Sequence, residues 1–84
     1  MTAEEIRAVL LRALGRVAPE VDLTSLRGDL PLRTQVDIDS IDFLNFVIEL
    51  HRELGVDVPE AEYAALATID SAVTYLQGHA SSKA

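Results

Sequence analysis

Apolar side chains recur every three or four residues from Ile6 to Val17, which is the spacing of one face of an α-helix. The members of this stripe are Ile6, Val9, Leu10, Ala13, Leu14 and Val17. Thr2 and Glu5 have the spacing of a capping box at the start of this helix, and Pro19 lies where the helix must end. The pattern predicts a first amphipathic helix between these two signals.

A long connection without sustained periodicity follows, over residues 18–39. It remains apolar through Val21, Leu23, Leu26, Leu30, Leu32, Val36 and Ile38. A loop of this length is unusual in a compact domain unless it is packed down or functional. We expect it to lie across the helices, with a helical turn near Thr24–Arg27.

A second helix is predicted from Ser40 to about Leu54, because Gly55 has the position of a C-terminal cap. Its apolar residues fall on two faces when each residue advances by about 100° around the axis. The wide face, expected to join the core, consists of Phe43, Phe46, Val47, Leu50 and Leu54. The narrow face consists of Ile41, Leu44 and Ile48. Periodicity does not decide whether the long connection covers the narrow face or leaves it exposed to a partner.

Two further helices complete the predicted fold. Pro59 suits the first turn of a short third helix, with Glu60 and Glu62 near its start. The fourth helix has Thr68 as its N-cap and Gly78 as its stop. Its buried stripe consists of Ile69, Ala72, Val73 and Leu76. The predicted fold class is all-α, a small four-helix bundle with three main helices, one short helix and a long first connection.

Composition limits what this fold can do. The chain has 84 residues and no cysteine, so we expect a single domain over residues 1–78 and a frayed tail over residues 79–84. Disulfides and thiolate metal sites are excluded, which suits a reducing cytoplasm. The apolar runs are too short for a membrane span, and the acidic N-terminus does not have the pattern of a signal peptide.

The net charge of −7 is concentrated in the second part of the chain. Residues 1–35 hold five acids and five arginines, whereas residues 36–84 hold nine acids against one arginine and one lysine. Such a field would repel nucleic acid and anionic membranes, and would attract proteins that carry basic patches. A solvated acidic face that keeps the protein soluble is the alternative interpretation.

Ser40 is the candidate for covalent chemistry, because it lies at the first turn of the second helix. Free backbone N–H groups and the helix dipole favour an attached phosphate there. A nucleophilic serine needs a base within hydrogen-bonding reach, but His51 is eleven residues along, or about 16 Å. A calcium loop beginning at Asp37 would need Gly and Glu where Asp42 and Ile48 stand. A helix cap and an attachment point therefore remain as interpretations of Ser40.

The segment Asp39-Ser40-Ile41-Asp42 and the helix that follows it resemble the acyl carrier protein family. The Asp-Ser-Leu signature of that family is matched with Ile in place of Leu. Asp29-Leu30 upstream and Thr68-Ile69 downstream also resemble elements of the family. The similarity extends from about Ile6 to Leu76, which is nearly the whole chain.

The resemblance implies a covalent 4′-phosphopantetheine on Ser40, added from coenzyme A by a phosphopantetheinyl transferase with Mg²⁺. The arm would carry acyl groups as thioesters, so the chain would be a phosphoprotein and a carrier, with no catalytic residue and no metal ligand of its own. The implied partners are the transferase and an acyl ligase, ketosynthase or acyltransferase with a basic docking patch. A cytoplasmic monomer that binds no nucleic acid and inserts into no membrane is expected.

The resemblance also implies which residues contact partners. They are Asp39, Ile41, Asp42, Leu44, Ile48 and Glu49. Asp39 would assist the transferase, whereas Asp42 and Glu49 would belong to the recognition helix. The three apolar members are the residues of the narrow face that the periodicity separates independently.

Departures from the family pattern concern the pathway. Asp37 stands where many members have Gly, and Asn45, His51 and Arg52 replace residues that are often acidic. This favours a specialised carrier in fatty acid biosynthesis, lipid metabolism or a polyketide pathway, with a dedicated partner. The alternative function is an unmodified acidic adaptor that docks partners through the narrow face.

Overall fold

The structure, a computed structural model, describes residues 2–80. Its α-helices are α1 (Ala3–Val17), α2 (Leu32–Gln35), α3 (Ser40–Leu54) and α4 (Ile69–Ala80). Two 3₁₀ helices, Leu23–Ser25 and Glu60–Leu66, lie in the connections. No β-strand occurs within residues 2–80, so the predicted all-α fold of three main helices and a short one after Pro59 is confirmed.

Both ends of α1 follow from the local sequence. The Thr2 hydroxyl accepts a hydrogen bond from the Glu5 N–H (3.1 Å), and the Glu5 carboxylate accepts one from the Thr2 N–H (2.8 Å). The bond from the Thr2 backbone is the main reason why the pKa of Glu5 lies below its ordinary value. At the other end, the Ala18 N–H donates to the Leu14 carbonyl, one residue before Pro19. The predicted capping box and helix end are confirmed.

The core lies where α1, α3 and α4 meet. The largest fully buried side chains are Phe46, Ile6, Leu14, Leu50, Leu66, Ile69 and Leu76. Among the residues that the structure describes, every buried side chain is hydrophobic. From the predicted wide face of α3, Phe46, Val47 and Leu50 are buried, whereas Phe43 and Leu54 are half-buried at the edge of the core.

The connection between α1 and α3 lies across the helices, as predicted. Leu32, Val36 and Ile38 are buried in the core. The Leu32 N–H donates to the Ala67 carbonyl (2.8 Å), which fastens the connection to the segment before α4. This packing explains why a long apolar segment without regular periodicity can belong to a compact domain.

The connection also contains local structure that differs from the prediction. The helical turn expected near Thr24–Arg27 begins one residue earlier, at Leu23, because the Asp22 carboxylate accepts a hydrogen bond from the Thr24 N–H (3.1 Å). Helix α2 was not predicted. It has four residues, so it is too short to display a helical repeat in the sequence.

The prediction for α4 is confirmed at its start and wrong at its end. The Thr68 hydroxyl accepts a hydrogen bond from the Ser71 N–H (3.0 Å), which is the geometry of an N-cap. The predicted stop at Gly78 is wrong, because α4 continues to Ala80. A glycine in a helix costs some stability but does not by itself end the helix. Of the predicted tail over 79–84, residues 81–84 lie outside the described residues.

None of the helices within residues 2–80 has the length and apolar character needed to cross a membrane.

Candidate functional site

The N-terminus of α3 is capped by Asp39 and not by Ser40. The Asp39 carboxylate accepts a hydrogen bond from the Asp42 N–H (2.8 Å), and the Asp42 carboxylate accepts one from the Asp39 N–H (3.3 Å). Ser40 is the first residue of the helix and is exposed. The interpretation of Ser40 as the helix cap is therefore wrong, because the capping box does not use its hydroxyl.

The position of Ser40 suits an attached anion. Helix α3 has 15 residues, and the N–H groups of its first turn have no partner inside the helix. The capping box provides an acceptor for the Asp42 N–H. Ser40 and Ile41 precede Asp42 in the same turn, and their N–H groups take no part in the capping box. These N–H groups and the positive end of the helix dipole favour negative charge next to the Ser40 hydroxyl.

A cavity of about 490 Å³ opens beside Ser40, between α2, the first turns of α3 and the 3₁₀ helix Glu60–Leu66. Its apolar lining includes Pro31, Leu32, Phe43, Leu44, Tyr63 and Ala64. Arg33 and Glu60 are the charged residues of the lining. The size and the apolar walls match sites that hold a small organic ligand.

Aromatic rings form one wall of this cavity. The rings of Phe43 and Tyr63 meet edge to face with centroids 5.5 Å apart, and Phe43 also lies 6.1 Å from the ring of the buried Phe46. Such pairs are favourable arrangements of aromatic rings. Phe43, which periodicity assigned to the core, therefore lies between the core and the cavity that Ser40 borders.

The narrow face of α3 is exposed. The exposed fractions are 69% for Ile41, 47% for Leu44 and 47% for Ile48. The connection thus does not cover this face, which settles the choice that periodicity left open. A row of exposed apolar side chains beside acidic ones is typical of a surface that contacts a partner.

The acidic residues of α3 differ in how freely they present their charge. Glu49 forms ion pairs with Arg16 of α1 (2.6 Å) and with Arg52 (3.4 Å), and its side chain is 16% exposed. Within residues 2–80, neither Asp39 nor Asp42 forms an ion pair with a basic side chain. The negative charge available to a partner therefore lies mainly at the start of α3.

The helix α3 brings most of the predicted site residues to one region. Asp39 caps the helix, and the first turns contain Ser40, Ile41, Asp42 and Leu44. Ile48 and Glu49 lie farther along the same helix. The helix is continuous from residue 40 to residue 54, so His51 lies at the opposite end, with its ring Nδ1 3.2 Å from the Val56 carbonyl oxygen.

Sequence reasoning missed the cavity residues Arg33, Tyr63 and Glu60 as members of the site. They belong to α2 and to the 3₁₀ helix after Pro59, which approach Ser40 only in the folded chain. The sequence itself shows only that Phe43 stands three residues after Ser40 and so lies on the same side of α3. That spacing could have indicated an apolar site beside Ser40, but not the residues from other elements that complete it.

Comparison with known proteins gives a consistent result. Residues 4–76 match the family model described as "Phosphopantetheine attachment site". The acyl carrier protein of Lactobacillus acidophilus is 33% identical over 60 residues, which are 71% of this chain and 75% of that protein. The acyl carrier protein of Zymomonas mobilis is 31% identical over 80 residues, which are 93% of this chain and 94% of that protein. That of Campylobacter hominis is 30% identical over 74 residues, covering 88% and 87%.

Proposed function

Since this chain belongs to the acyl carrier protein family, whose phosphopantetheine attachment domain carries a covalent 4′-phosphopantetheine, we propose that Ser40 is the residue that bears the arm. Proteins of this family carry acyl groups and do not catalyse their transfer, so the chain is a carrier and not an enzyme. The proposal concerns the attachment residue, the contacts with partners and the pathway.

The observation that supports Ser40 most strongly is its exposed hydroxyl at the first position of α3, next to the cavity. A phosphate on that hydroxyl would lie at the positive end of the helix dipole. Asp39 would fix the start of the helix, and with it the direction of the Ser40 side chain. The residues present thus fit a phosphate-linked group.

The bound arm would supply the thiol that this cysteine-free chain lacks, and on it acyl groups are held as thioesters. The chain's own residues would shelter the acyl group. The cavity that borders Ser40 is lined by Leu32, Phe43 and Tyr63. An acyl chain of moderate length could be shielded from water inside it. Apolar side chains can part around such a chain without breaking hydrogen bonds.

The exposed face of α3 would dock the partners. Ile41, Leu44 and Ile48 would supply contact area, and Asp39 and Asp42 would attract a basic patch. The partners proposed are a phosphopantetheinyl transferase and an acyl ligase, ketosynthase or acyltransferase. Glu49 would contribute less to steering than its charge suggests, because Arg16 and Arg52 are paired with it.

The mixed charge at the end of α3 supports a specialised carrier for a fatty-acyl, lipid or polyketide pathway. His51 and Arg52 are exposed there, and Glu49 and Glu53 are paired with arginines, so the second half of the helix presents little net negative charge. Asn45, in the first half, is also exposed and uncharged. A partner that depends on a uniformly acidic helix would bind weakly. We therefore expect one dedicated partner in the cytoplasm, with the carrier acting as a monomer.

The attachment residue is tested by mass spectrometry. The apo-protein is incubated with coenzyme A, Mg²⁺ and a broad-specificity phosphopantetheinyl transferase. The wild type should gain the mass of one 4′-phosphopantetheine, and Ser40→Ala should gain nothing. Ser25→Ala is the matched control, because Ser25 is also exposed and lies in the connection.

Two results would contradict the proposal. A gain of mass in Ser40→Ala would place the arm on another residue. Failure of several transferases to modify the folded wild type would favour the alternative, an unmodified adaptor that docks partners through the exposed residues Ile41, Leu44 and Ile48.

A further inference from the structure

One basic side chain borders the cavity beside Ser40. Arg33 of α2 lines the cavity together with Ser40, and its guanidinium carbon lies 5.8 Å from the centroid of the Phe43 ring. A guanidinium over an aromatic ring is held by a cation–π interaction. The ring therefore limits the positions of a side chain that would otherwise move freely at the surface.

Within residues 2–80, Arg33 has no carboxylate partner, whereas several other arginines of the chain do. Arg12, Arg16 and Arg27 each form an ion pair with an acidic side chain. Within residues 2–80, no carboxylate lies within ion-pair distance of the Arg33 guanidinium, although Glu60 lines the same cavity. The donors of Arg33 are thus available to an anionic ligand.

The ring that holds Arg33 lies close to Ser40. Ser40 and Phe43 are three residues apart on α3, so their Cβ atoms are neighbours at about 5–6 Å. The guanidinium consequently lies on the same side of the helix as the Ser40 hydroxyl. A phosphate joined to that hydroxyl would lie beside the cavity that both Ser40 and Arg33 line.

The surroundings of Ser40 make such a cation important. Ser40 has three acidic neighbours in the sequence, Asp37, Asp39 and Asp42. Their negative charges disfavour a phosphate attached to Ser40. The helix dipole offsets only part of this repulsion. A guanidinium matches the oxygens of a phosphate and can donate two parallel hydrogen bonds to them.

We propose that Arg33 binds the phosphodiester of the arm through its guanidinium N–H groups. The inference rests on the proposed attachment at Ser40. It makes Arg33 a binding residue that holds the first part of the arm over the mouth of the cavity. The short helix α2 then has a function, which is to place Arg33 next to the attachment point.

NMR of the modified protein tests this contact. Protein with ¹⁵N-labelled arginine is prepared in the apo form and in the form that bears the arm with a free thiol, so that no carboxylate of a cargo is present. The Arg33 Nε–H resonance should move on modification by more than its linewidth, whereas that of Arg52 should not. The ³¹P resonance of the arm should differ between the wild type and Arg33→Gln.

Arg52→Gln is the matched control, since Arg52 also lies exposed on the surface but twelve residues beyond Ser40, or about 18 Å along α3. The ³¹P resonance of the arm on the Arg52→Gln variant should coincide with that of the wild type. Circular dichroism checks that each variant is folded. If Arg52→Gln shifts the ³¹P resonance as much as Arg33→Gln does, the shift reports only the loss of one positive charge. That result would overturn the proposed contact with Arg33.

The mass of the same samples separates the two proposals. If the arm is present on Ser40 but neither the Arg33 Nε–H nor the ³¹P resonance changes, the contact with Arg33 is wrong and the attachment stands. If Ser40 bears no arm, both proposals are overturned.

Discussion

At the scale of single residues, Asp39 and Ser40 have separate tasks although they are neighbours. The Asp39 carboxylate caps α3 by accepting the hydrogen bond from the Asp42 N–H, so the helix start does not depend on the serine. Ser40 is left with an exposed hydroxyl at the first helical position. A covalent group can therefore be added there without breaking the cap.

This division of tasks predicts different costs for two substitutions. Asp39→Ala should lower the free energy of unfolding by about 0.5–2 kcal/mol, because the cap is lost. Ser40→Ala should change it by less than about 0.5 kcal/mol, the usual range for a surface substitution. Urea unfolding of the unmodified proteins measures both, and Asp39→Asn, which retains a capping side chain, is the control. An equal cost for Ser40→Ala would show that the serine stabilises the helix start.

A second prediction concerns Tyr75, whose hydroxyl donates a hydrogen bond to the Glu62 carboxylate. This bond is the largest cause that raises the pKa of Tyr75 from 10.0 to about 12. Because folding raises this pKa, the stability from the protonated Tyr75 is fully present below pH 10 and is lost as the pH rises toward 12. Phenolate absorbance in a Tyr63→Phe background isolates the Tyr75 titration.

Glu62→Gln supplies the control for that titration. It keeps a hydrogen-bond acceptor but removes the negative charge, so the pKa of Tyr75 should fall toward its ordinary value. An unchanged Tyr75 titration in Glu62→Gln would mean that the negative charge of Glu62 does not contribute to the raised pKa of Tyr75.

At the scale of elements, α3 ends because Gly55 adopts a left-handed conformation with φ of 68°. Its N–H donates to the His51 carbonyl, which satisfies one of the last carbonyls of the helix. Gly55→Ala should lower the free energy of unfolding by about 1–2 kcal/mol, since a side chain is strained in that conformation. Urea unfolding measures the change.

Gly15→Ala is the matched control, and we expect it to change the free energy of unfolding in the opposite direction. Gly15 lies inside α1, and a Cβ there would meet the Leu23 Cδ1 at an ordinary contact distance of 3.5 Å. The substitution should raise the free energy of unfolding by about 0.5–1 kcal/mol. Destabilisation by both alanines would contradict the proposed difference in backbone conformation.

The elements also show what the sequence could predict. The bounds of α3 were predictable because its end is signalled locally by Gly55 and its apolar residues repeat over four turns. Helix α2 was not predictable, since one turn has no repeat, and Arg33 was therefore not recognised as a neighbour of Ser40. Gly78 was misinterpreted because a glycine near a helix end signals a stop only when the chain turns there.

At the scale of the whole molecule, the charge of α3 depends on α1. Arg16 pairs with Glu49 (2.6 Å) and with Glu53 (3.7 Å), across 33 or more residues of sequence. A charge count along the chain cannot reveal these pairs, and for the same reason the cavity formed by three separate elements could not be predicted. The proposed electrostatic steering of partners would consequently be weaker at the C-terminal end of α3 than the acidic sequence suggests.

This pairing predicts how modification responds to salt. Arg16→Gln should leave Glu49 paired only with Arg52 and so free part of the negative charge of Glu49 and Glu53. A basic transferase should therefore modify the variant faster at low salt and lose more of its rate as salt is added. Arg27→Gln is the control, because it removes the same charge from the connection, where Arg27 pairs with Asp29 (2.9 Å). Initial rates of modification at several salt concentrations measure the effect. Identical salt dependence in both variants would show that only net charge matters.

The most direct measurement is the intact mass, with fragmentation, of the protein isolated from the cells that produce it. We predict one 4′-phosphopantetheine per chain, free or acylated, on the peptide that contains Ser40. Native protein without the arm, or with the arm on a different hydroxyl, would contradict the assignment of Ser40 as the attachment residue.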